Sequence, residues 1–347
     1  MRALAPFRLD LTVWALRRRP DNAVDTWDGR TYRRALEIQG GTIDLAAVQA
    51  GSSLAPRLAV TLTGARLDAG TEEAARAALA RLLGPDLDLS DFYRLAERDP
   101  LLRTLATRFR GLKPPRFPTL FECVVNAIAC QQLTLTVGIR LLNRLAEAYG
   151  TTPAEGDLNA FPVPSRLAGL TPEVLMPLGF SRAKGRSIVE FAAATSGGVF
   201  EPAAIETLDD GQAIQTLLGL RGVGRWTAEY ALLRGLGRLH VFPGDDVGAR
   251  NNLARWLDCR RPLDYAAVQA AVRNWQPFAG FVYFHPPPAR EPRRPWHADR
   301  GLSSDTHSLA RAVGRCVLTD AEAASCTSSL GRRVAWTDTA DEAVAAA

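Results

Sequence analysis

Two adjacent carboxylates, Asp245 and Asp246, end the segment VFPGDD, directly after a Pro-Gly turn and before a helical run through Arg250. An acid at a helix start commonly serves as the N-cap, so one of the two is expected to cap this helix. The other carboxylate is then available to stabilise positive charge on a sugar or to activate a water molecule. One of the two acids is therefore a candidate catalytic residue. The alternative is that both acids only cap the helix.

An aromatic pair precedes these acids by about twenty residues. Trp226 and Tyr230 are spaced i,i+4, so their side chains share one face of a helix. Such a pair commonly packs in a core, but here Ala228, Ala231 and Leu232 already offer an apolar face opposite. We therefore predict a cleft lined by both rings. It would suit a flat, electron-poor base through stacking and cation–π attraction, worth roughly 0.5–2 kcal/mol each.

A glycine turn joins this helix to a shorter one before it, within LRGVG. Gly222 and Gly224 are expected at positive φ. They place no side chain over the backbone amides at the start of the next helix. Those amides and the helix dipole attract anions. Val223 is expected to fill the gap between the two helices. The pattern is typical of a helix–hairpin–helix, which grips a DNA phosphate without reading sequence; a plain turn between helices is the alternative.

A polar interruption separates two apolar helical runs at Gln131-Gln132-Leu133-Thr134. It predicts a helix–helix turn with Thr134 as the N-cap. The alternative is a probe that faces a ligand, because an exposed Leu133 in a DNA enzyme can act as a wedge between bases.

Composition sets the class of protein. The chain has 347 residues, of which 47% are hydrophobic and 23% charged, as in an ordinary soluble globular protein. There is no apolar run of roughly 18 residues and no signal-peptide pattern, so we expect a cytoplasmic protein without a membrane segment. The five cysteines and four histidines show no metal-ligand spacing, so no cofactor is expected. The net charge of +5 modestly favours an anionic partner.

The patterning predicts an α+β fold that is mostly α. Residues 1–88 are expected to form a small antiparallel-sheet domain, with strands over 32–38 and 58–63, a turn at Gly40-Gly41, and a helix over 71–83 capped by Thr71. An all-helical body over 89–285 follows, with the hairpin at 218–226. Its predicted helices cover 91–98, 100–109, 120–131, 134–149, 172–178, 182–195, 213–220 and 225–236. The Ala-, Ser-, Pro- and Arg-rich tail, 286–347, has a composition typical of flexible segments.

The string GRWTAEY followed by VFPGDD resembles the DNA-3-methyladenine glycosylase II family of the helix–hairpin–helix DNA glycosylase superfamily. The similarity covers residues 1 to about 285 and is closest over 120–285. It implies that Asp246 is the catalytic aspartate, which leaves Asp245 as the expected N-cap. It also implies that Trp226 and Tyr230 line the base pocket.

The resemblance also implies DNA contacts and an ion. The implied DNA-binding residues are the wedge Leu133 with the preceding Gln132, and the hairpin residues Gly222, Val223, Gly224 and Thr227. Family hairpins often hold a monovalent cation on backbone carbonyls, here those of Leu218, Leu220 and Val223.

Three departures refine the resemblance. Lyase-active members carry a lysine where this chain has Trp226, so Schiff-base strand cleavage is not expected; the only lysines are Lys113 and Lys184. Other members bind an iron–sulfur cluster through four cysteines after the catalytic region, and near that position this chain has only Cys259. The last helix, 274–285, stops at Pro286. Relatives continue this helix, which carries a further aromatic residue of the base pocket. Trp296 is not in register with that residue.

Together these features predict a monofunctional, monomeric DNA glycosylase that excises alkylated, 3-methyladenine-type bases from double-stranded DNA by hydrolysis. One alternative is a non-catalytic helix–hairpin–helix DNA-binding protein. Another is a glycosylase of the same superfamily for other damaged bases.

Overall fold

The N-terminal part combines one antiparallel sheet with two helices. The computed structural model describes residues 1–259, 261–285 and 332–336. The sheet has the strand order β1-β2-β3-β4-β5, with every neighbouring pair antiparallel. Its elements, with the two helices, are α1 (Leu9–Arg17), β1 (Thr26–Trp27), β2 (Thr31–Ile38), β3 (Gly41–Ala50), β4 (Arg57–Gly64), α2 (Ala69–Leu83) and β5 (Arg332–Trp336).

The sheet buries one face because its strands alternate. Leu58, Val60 and Leu62 of β4 are buried while the residues between them are more exposed, and α1 and α2 share their core. The predicted turn at Gly40-Gly41 is confirmed, since Ile38 pairs with Gly41. Strand β5 was not predicted; it lies in the segment expected to be flexible. The rest of the tail, including Trp296, lies outside the described residues.

Helix α2 begins earlier than predicted. Its N-cap is Asp68, whose carboxylate accepts a hydrogen bond from the backbone N–H of Thr71 over 2.8 Å. Thr71 therefore lies inside the helix, and its assignment as the cap was wrong. A carboxylate three residues earlier reaches the free N–H groups of the first turn.

The body is helical, which confirms the predicted fold class. Its α-helices are α3 (Ser90–Ala96), α4 (Pro100–Arg108), α5 (Leu120–Cys130), α6 (Leu135–Tyr149), α7 (Pro164–Leu167), α8 (Arg182–Ser196), α9 (Pro202–Thr207), α10 (Asp210–Leu218), α11 (Arg225–Arg234), α12 (Val247–Trp256), α13 (Tyr265–Val272) and α14 (Ala279–Val282). The segments Pro172–Leu178 and Arg273–Trp275 are 3-10 helices. Pro177 lacks an N–H, which disfavours the α-helix predicted for the first of these.

Helix α5 lies at the centre of the body. All of its residues except the last are buried, and it packs against α6, α8 and α11. A helix that is buried on every side lies within a core. Helix α11 joins this core to a second one, because Leu232 packs in the first and Leu233 in the second.

A buried ion network connects the sheet to α5. The guanidinium of Arg34, on β2, contacts Asp25 at 2.8 Å and Glu122 at 2.5 Å. The hydroxyl of Tyr32 donates a hydrogen bond to Asp25 over 2.7 Å. Each charge in this network therefore has an opposite partner, as buried ions generally require.

In the described part of the chain, no helix has both the length and the apolar character needed to cross a bilayer.

Candidate active site

Asp246 is both the N-cap of α12 and a residue of the central cleft. Its Oδ1 accepts a hydrogen bond from the N–H of Ala249 over 2.8 Å. Asp245 instead forms an ion pair with Arg225, with 2.6 Å between Oδ2 and Nε. The assignment of the cap to Asp245 was wrong, because the helix begins one residue later than that assignment requires.

The second oxygen of Asp246 is held by two aromatic residues. Trp226 Nε1 and the hydroxyl of Tyr283 each donate to Oδ2 over 3.0 Å. Burial and the adjacent carboxylate raise the pKa of Tyr283 well above its ordinary value, so its phenol remains a donor. A carboxylate offers about four acceptor positions, so three donors leave about one for a water or a sugar group.

Three aromatic rings form the walls of the cleft. The ring centroids of Trp226 and Tyr230 are 5.6 Å apart, and those of Tyr230 and Tyr283 are 6.3 Å apart. Trp226 and Tyr230 therefore meet in one cleft, as expected from their spacing. Tyr283, which the sequence did not single out, forms the third wall of the cleft.

The segment that carries Tyr283 is not the single helix predicted over 274–285. A 3-10 turn ends at Trp275, Gln276 is extended, and α14 begins only at Ala279. Pro277 interrupts the helix between them, because it has no N–H to donate.

The cleft has a volume of about 420 Å³ and is lined by Trp226, Tyr230, Tyr283, Asp246 and Leu133, among others. Ligand pockets commonly measure about 300–1,000 Å³. Its inner end also includes Arg18, Arg234 and His285. Burial lowers the pKa of His285 to about 4, so this imidazole is neutral at physiological pH.

The glycine turn lies between α10 and α11. Gly222 has φ +77°, and a Cβ there would collide with Ser187 Oγ, so this position needs glycine. Gly224 has φ −102°, which corrects the expectation of positive φ at both glycines. It is the N-cap of α11, and a Cβ there would meet nothing within 4 Å. The start of α11 is thus open on that side.

The other two hairpin residues, Val223 and Thr227, are buried. Val223 is 7% exposed and packs in the core, as expected for a residue that fills the gap. Thr227 is 1% exposed, so its hydroxyl does not reach the surface that was predicted to bind DNA.

The carbonyl groups of Leu218, Leu220 and Val223 remain the predicted ligands of a monovalent cation. The carbonyl of Leu220 also accepts the N–H of Val223 over 3.2 Å, which closes the turn. Neutral carbonyl oxygens from one short turn suit such an ion chemically.

The turn between α5 and α6 presents a hydrophobic side chain. Leu133 is 43% exposed, and Gln132 before it adopts φ +54°, which is uncommon for a non-glycine residue. Thr134 caps α6 by accepting from the N–H of Val137, which confirms the predicted cap.

Gln131 ties this turn to the hairpin. Its Nε2 donates to the carbonyl of Gly222 over 2.8 Å and to the hydroxyl of Thr227 over 2.9 Å. Lys184 Nζ donates to the carbonyls of Ala129 and Gln131 over 3.0 and 2.7 Å. These hydrogen bonds therefore hold the turn that carries the exposed Leu133 next to the N-terminus of α11.

Comparison with known families gives this arrangement a context. Residues 125–277 match the HhH-GPD superfamily of base excision DNA repair proteins. This part of the chain is therefore similar to that superfamily.

Two bacterial relatives carry the name of a DNA-3-methyladenine glycosylase. A DNA-3-methyladenine glycosylase of Bacillus subtilis is 31% identical over 201 residues, which cover 56% of this chain and 66% of the relative. DNA-3-methyladenine glycosylase 2 of Escherichia coli is 30% identical over 176 residues, covering 50% of this chain and 59% of the relative. The aligned region thus spans less than two thirds of either relative.

The fold of this protein matches most of a solved structure. The 3-methyladenine DNA-glycosylase from Archaeoglobus fulgidus superposes with a TM-score of 0.72 at 24% identity. The superposition covers 82% of this chain and 95% of that structure.

Sequence reasoning missed one buried acid beside the cleft, Glu229. Glu229, 5% exposed, accepts from the N–H of Gly244 over 3.1 Å and from the hydroxyl of Tyr265 over 2.5 Å. Burial raises its pKa. Glu229 fixes the Pro-Gly turn that leads to Asp246, and its polar side chain on an otherwise buried helix face was the available signal.

The two lysines lie elsewhere. Lys113 is 1% exposed and donates to the carbonyl of Leu87, while Lys184 holds the end of α5. Neither is among the residues that line the cleft. Within residues 1–259, 261–285 and 332–336, no cluster of His, Cys, Asp or Glu has the arrangement of a metal site.

Proposed function

We propose that this protein is a DNA glycosylase that hydrolyses the N-glycosidic bond of alkylated bases in double-stranded DNA. The observation that carries the proposal is the Asp246 carboxylate, held by Trp226 and Tyr283 at an aromatic cleft of suitable size. The names of the Bacillus subtilis and Escherichia coli relatives support the same activity.

The surface beside the cleft is suited to hold DNA. The open N-terminus of α11 offers N–H groups and a favourable dipole to a phosphate. A monovalent cation on the hairpin carbonyls would add positive charge at the same phosphate. Leu133 fills the gap left by a flipped nucleotide, whose unstacking costs a few kcal/mol.

Asp246 acts on the sugar. As the C1′–N bond breaks, its electron pair leaves with the base and positive charge develops on the sugar ring. The carboxylate stabilises that charge and orients the attacking water, whose oxygen bonds to C1′ as its proton is lost. The hydrogen bonds from Trp226 and Tyr283 keep the carboxylate oriented towards the sugar. The aromatic rings hold the base by stacking.

The reaction is hydrolytic in this proposal. Trp226 occupies the position at which lyase-active members carry a lysine, and neither lysine lines the cleft. Without an amine there is no Schiff base to lead to strand cleavage.

One assay of the wild-type protein tests both the glycosylase activity and the hydrolytic mechanism. A duplex with one alkylated base is incubated with the protein, and base release and strand breaks are measured before and after alkali. We expect release, with breaks appearing only after alkali. Binding without release would support the non-catalytic alternative, and breaks before alkali would contradict the hydrolytic mechanism.

A further inference from the structure

Two parts of the proposed DNA-binding surface are far apart in the chain but are joined through one side chain. The wedge turn, residues 131–134, follows α5, and Gly222 of the hairpin lies 91 residues after Gln131. The Nε2 group of Gln131 donates to the carbonyl of Gly222 over 2.8 Å and to the hydroxyl of Thr227 over 2.9 Å. Both N–H bonds of the amide are thus used. Among the described residues, no other side chain of the wedge turn hydrogen-bonds to the hairpin.

The backbone of Gln131 is fixed as well as its side chain. Its N–H donates to the carbonyl of Ala127 over 3.1 Å at the end of α5. Its own carbonyl accepts from Lys184 Nζ over 2.7 Å, and the same ammonium group donates to the carbonyl of Ala129 over 3.0 Å. A positive charge is favourable there, because the last carbonyls of a helix lack partners within it and form the negative end of its dipole. Gln131 therefore cannot move away from α5 without breaking these bonds.

The connection from Gln131 to Leu133 is short and constrained. Gln132 adopts φ +54°, a left-handed conformation that a non-glycine residue keeps only when its surroundings hold it there. It is held on one side by Gln131 and on the other by Thr134, the N-cap of α6. The N–H of Leu133 also donates to the carbonyl of Cys130 over 3.4 Å. The position of the exposed Leu133 therefore follows the position of Gln131.

The other end of the connection lies in the turn that faces the phosphate. Gly222 has φ +77°, and a Cβ there would lie 2.4 Å from Ser187 Oγ, so this peptide has little freedom to move. Thr227, the second acceptor, lies in the first turns of α11 and is 1% exposed. A phosphate at the N-terminus of α11 would therefore be held by the same rigid unit that carries Leu133. Such rigidity matters, because a misplacement of about 1 Å can cost about 100-fold in rate.

We propose that Gln131 is a positioning residue that sets the distance between the phosphate-binding hairpin and the wedge Leu133. When the hairpin holds a phosphate, Gln131 places Leu133 at the base step from which the damaged nucleotide leaves. This role rests on the proposed glycosylase function. Gln131 acts through Leu133 and not on the base or the sugar. Its loss should therefore slow base release where the duplex must be unstacked, and much less where the base is already unpaired.

The test measures single-turnover base release from two duplexes that carry the same alkylated base. In one duplex the lesion is fully paired, and in the other it lies in a short unpaired bulge, where flipping costs least. Gln131→Met keeps the length of the side chain and removes both N–H donors. We expect release to fall about 10-fold on the paired duplex and less than about 2-fold on the bulged one. Gln212→Met, at an exposed glutamine on α10, is the matched control.

A double variant separates positioning from a general loss of structure. If Gln131 acts through Leu133, the combination of Gln131→Met with Leu133→Ala should be no slower on the paired duplex than Leu133→Ala alone, because the effects of coupled residues do not add. If Gln131→Met does not fold, Gln131→Glu decides, since it keeps the length of the side chain and also lacks N–H donors.

The outcomes distinguish the positioning role from the function on which it rests. Equal slowing on the two duplexes would overturn the positioning role alone. The same holds for a double variant slowed by the product of the two single losses, and for wild-type rates of Gln131→Met on the paired duplex. No release by the wild type from either duplex would overturn the glycosylase function and the positioning role with it.

Discussion

The indole nitrogen of Trp226 donates a hydrogen bond to Oδ2 of Asp246 over 3.0 Å. The hydroxyl of Tyr283 donates to the same oxygen from the C-terminal side of the cleft. The rings that enclose a base thus also hold the carboxylate that acts on its sugar. Base binding and the orientation of Asp246 are therefore coupled through shared side chains.

Trp226→Phe separates these two roles, because it keeps an aromatic wall and removes the hydrogen bond. A hydrogen bond to a charged group is worth about 1.5–3 kcal/mol, so we expect single-turnover base release to fall about 10-fold or more. Affinity for DNA should change little. Tyr283→Phe removes the other donor to the same oxygen and should have a similar effect. Wild-type rates in Trp226→Phe would show that the bond does not position the carboxylate.

Glu229→Ala removes the anchor of the turn before Asp246. The N–H of Gly244 and the hydroxyl of Tyr265 both lose their acceptor, and a buried unsatisfied group costs about 1–3 kcal/mol. We expect a lower melting temperature and slower base release. Glu229→Gln keeps an acceptor oxygen and should recover part of both, whereas Glu147→Ala, at an exposed site on α6, serves as the control. A stable Glu229→Ala protein with full activity would contradict this role.

His285 should make stability depend on pH. Burial lowers its pKa from 6.5 to about 4 in the folded state, so the unfolded chain binds a proton first as pH falls. Its contribution is complete above pH 6.5 and is lost between pH 6.5 and about 4, by about 3 kcal/mol in total. Chemical unfolding of wild type and His285→Gln at pH 7.5, 5.5 and 4.5 measures the difference. Parallel pH profiles for the two proteins would refute the assignment.

Leu133→Ala tests the wedge. Without the isobutyl group, the gap left by a flipped nucleotide is unfilled, and we expect base release to slow by about 10-fold because unstacking costs a few kcal/mol. Val137→Ala removes a comparably exposed side chain from the first turn of α6 and should have little effect. Equal rates for the two variants would mean that Leu133 does not support base flipping.

Local spacing predicted much of this site. The i,i+4 relation of Trp226 and Tyr230 follows from helix geometry, and the positive φ of Gly222 follows from a tight turn. The choice between Asp245 and Asp246 as the cap depended on where α12 begins, which two adjacent acids do not reveal. A one-residue difference was enough to move the cap from Asp245 to Asp246.

Sequence patterns did not predict the contacts between distant parts of the chain. Arg18 and Tyr230 are 212 residues apart, and nothing near Arg18 in the sequence indicates a cleft. Tyr283 was not singled out because the single helix expected over 274–285 is interrupted between Trp275 and Ala279. Strands β2 and β4 and most helices were predicted because alternation and helical periodicity are local properties.

The most direct measurement is single-turnover base release by Asp246→Asn from a duplex with an alkylated base. Asparagine can still cap α12, so the variant removes the negative charge while keeping the helix start. Asp245→Asn, at the neighbouring residue that pairs with Arg225, is the matched control. We expect release by Asp246→Asn to fall about 100-fold or more, with Asp245→Asn near the wild type. Equal release by Asp246→Asn and the wild type would contradict the role of this carboxylate in catalysis.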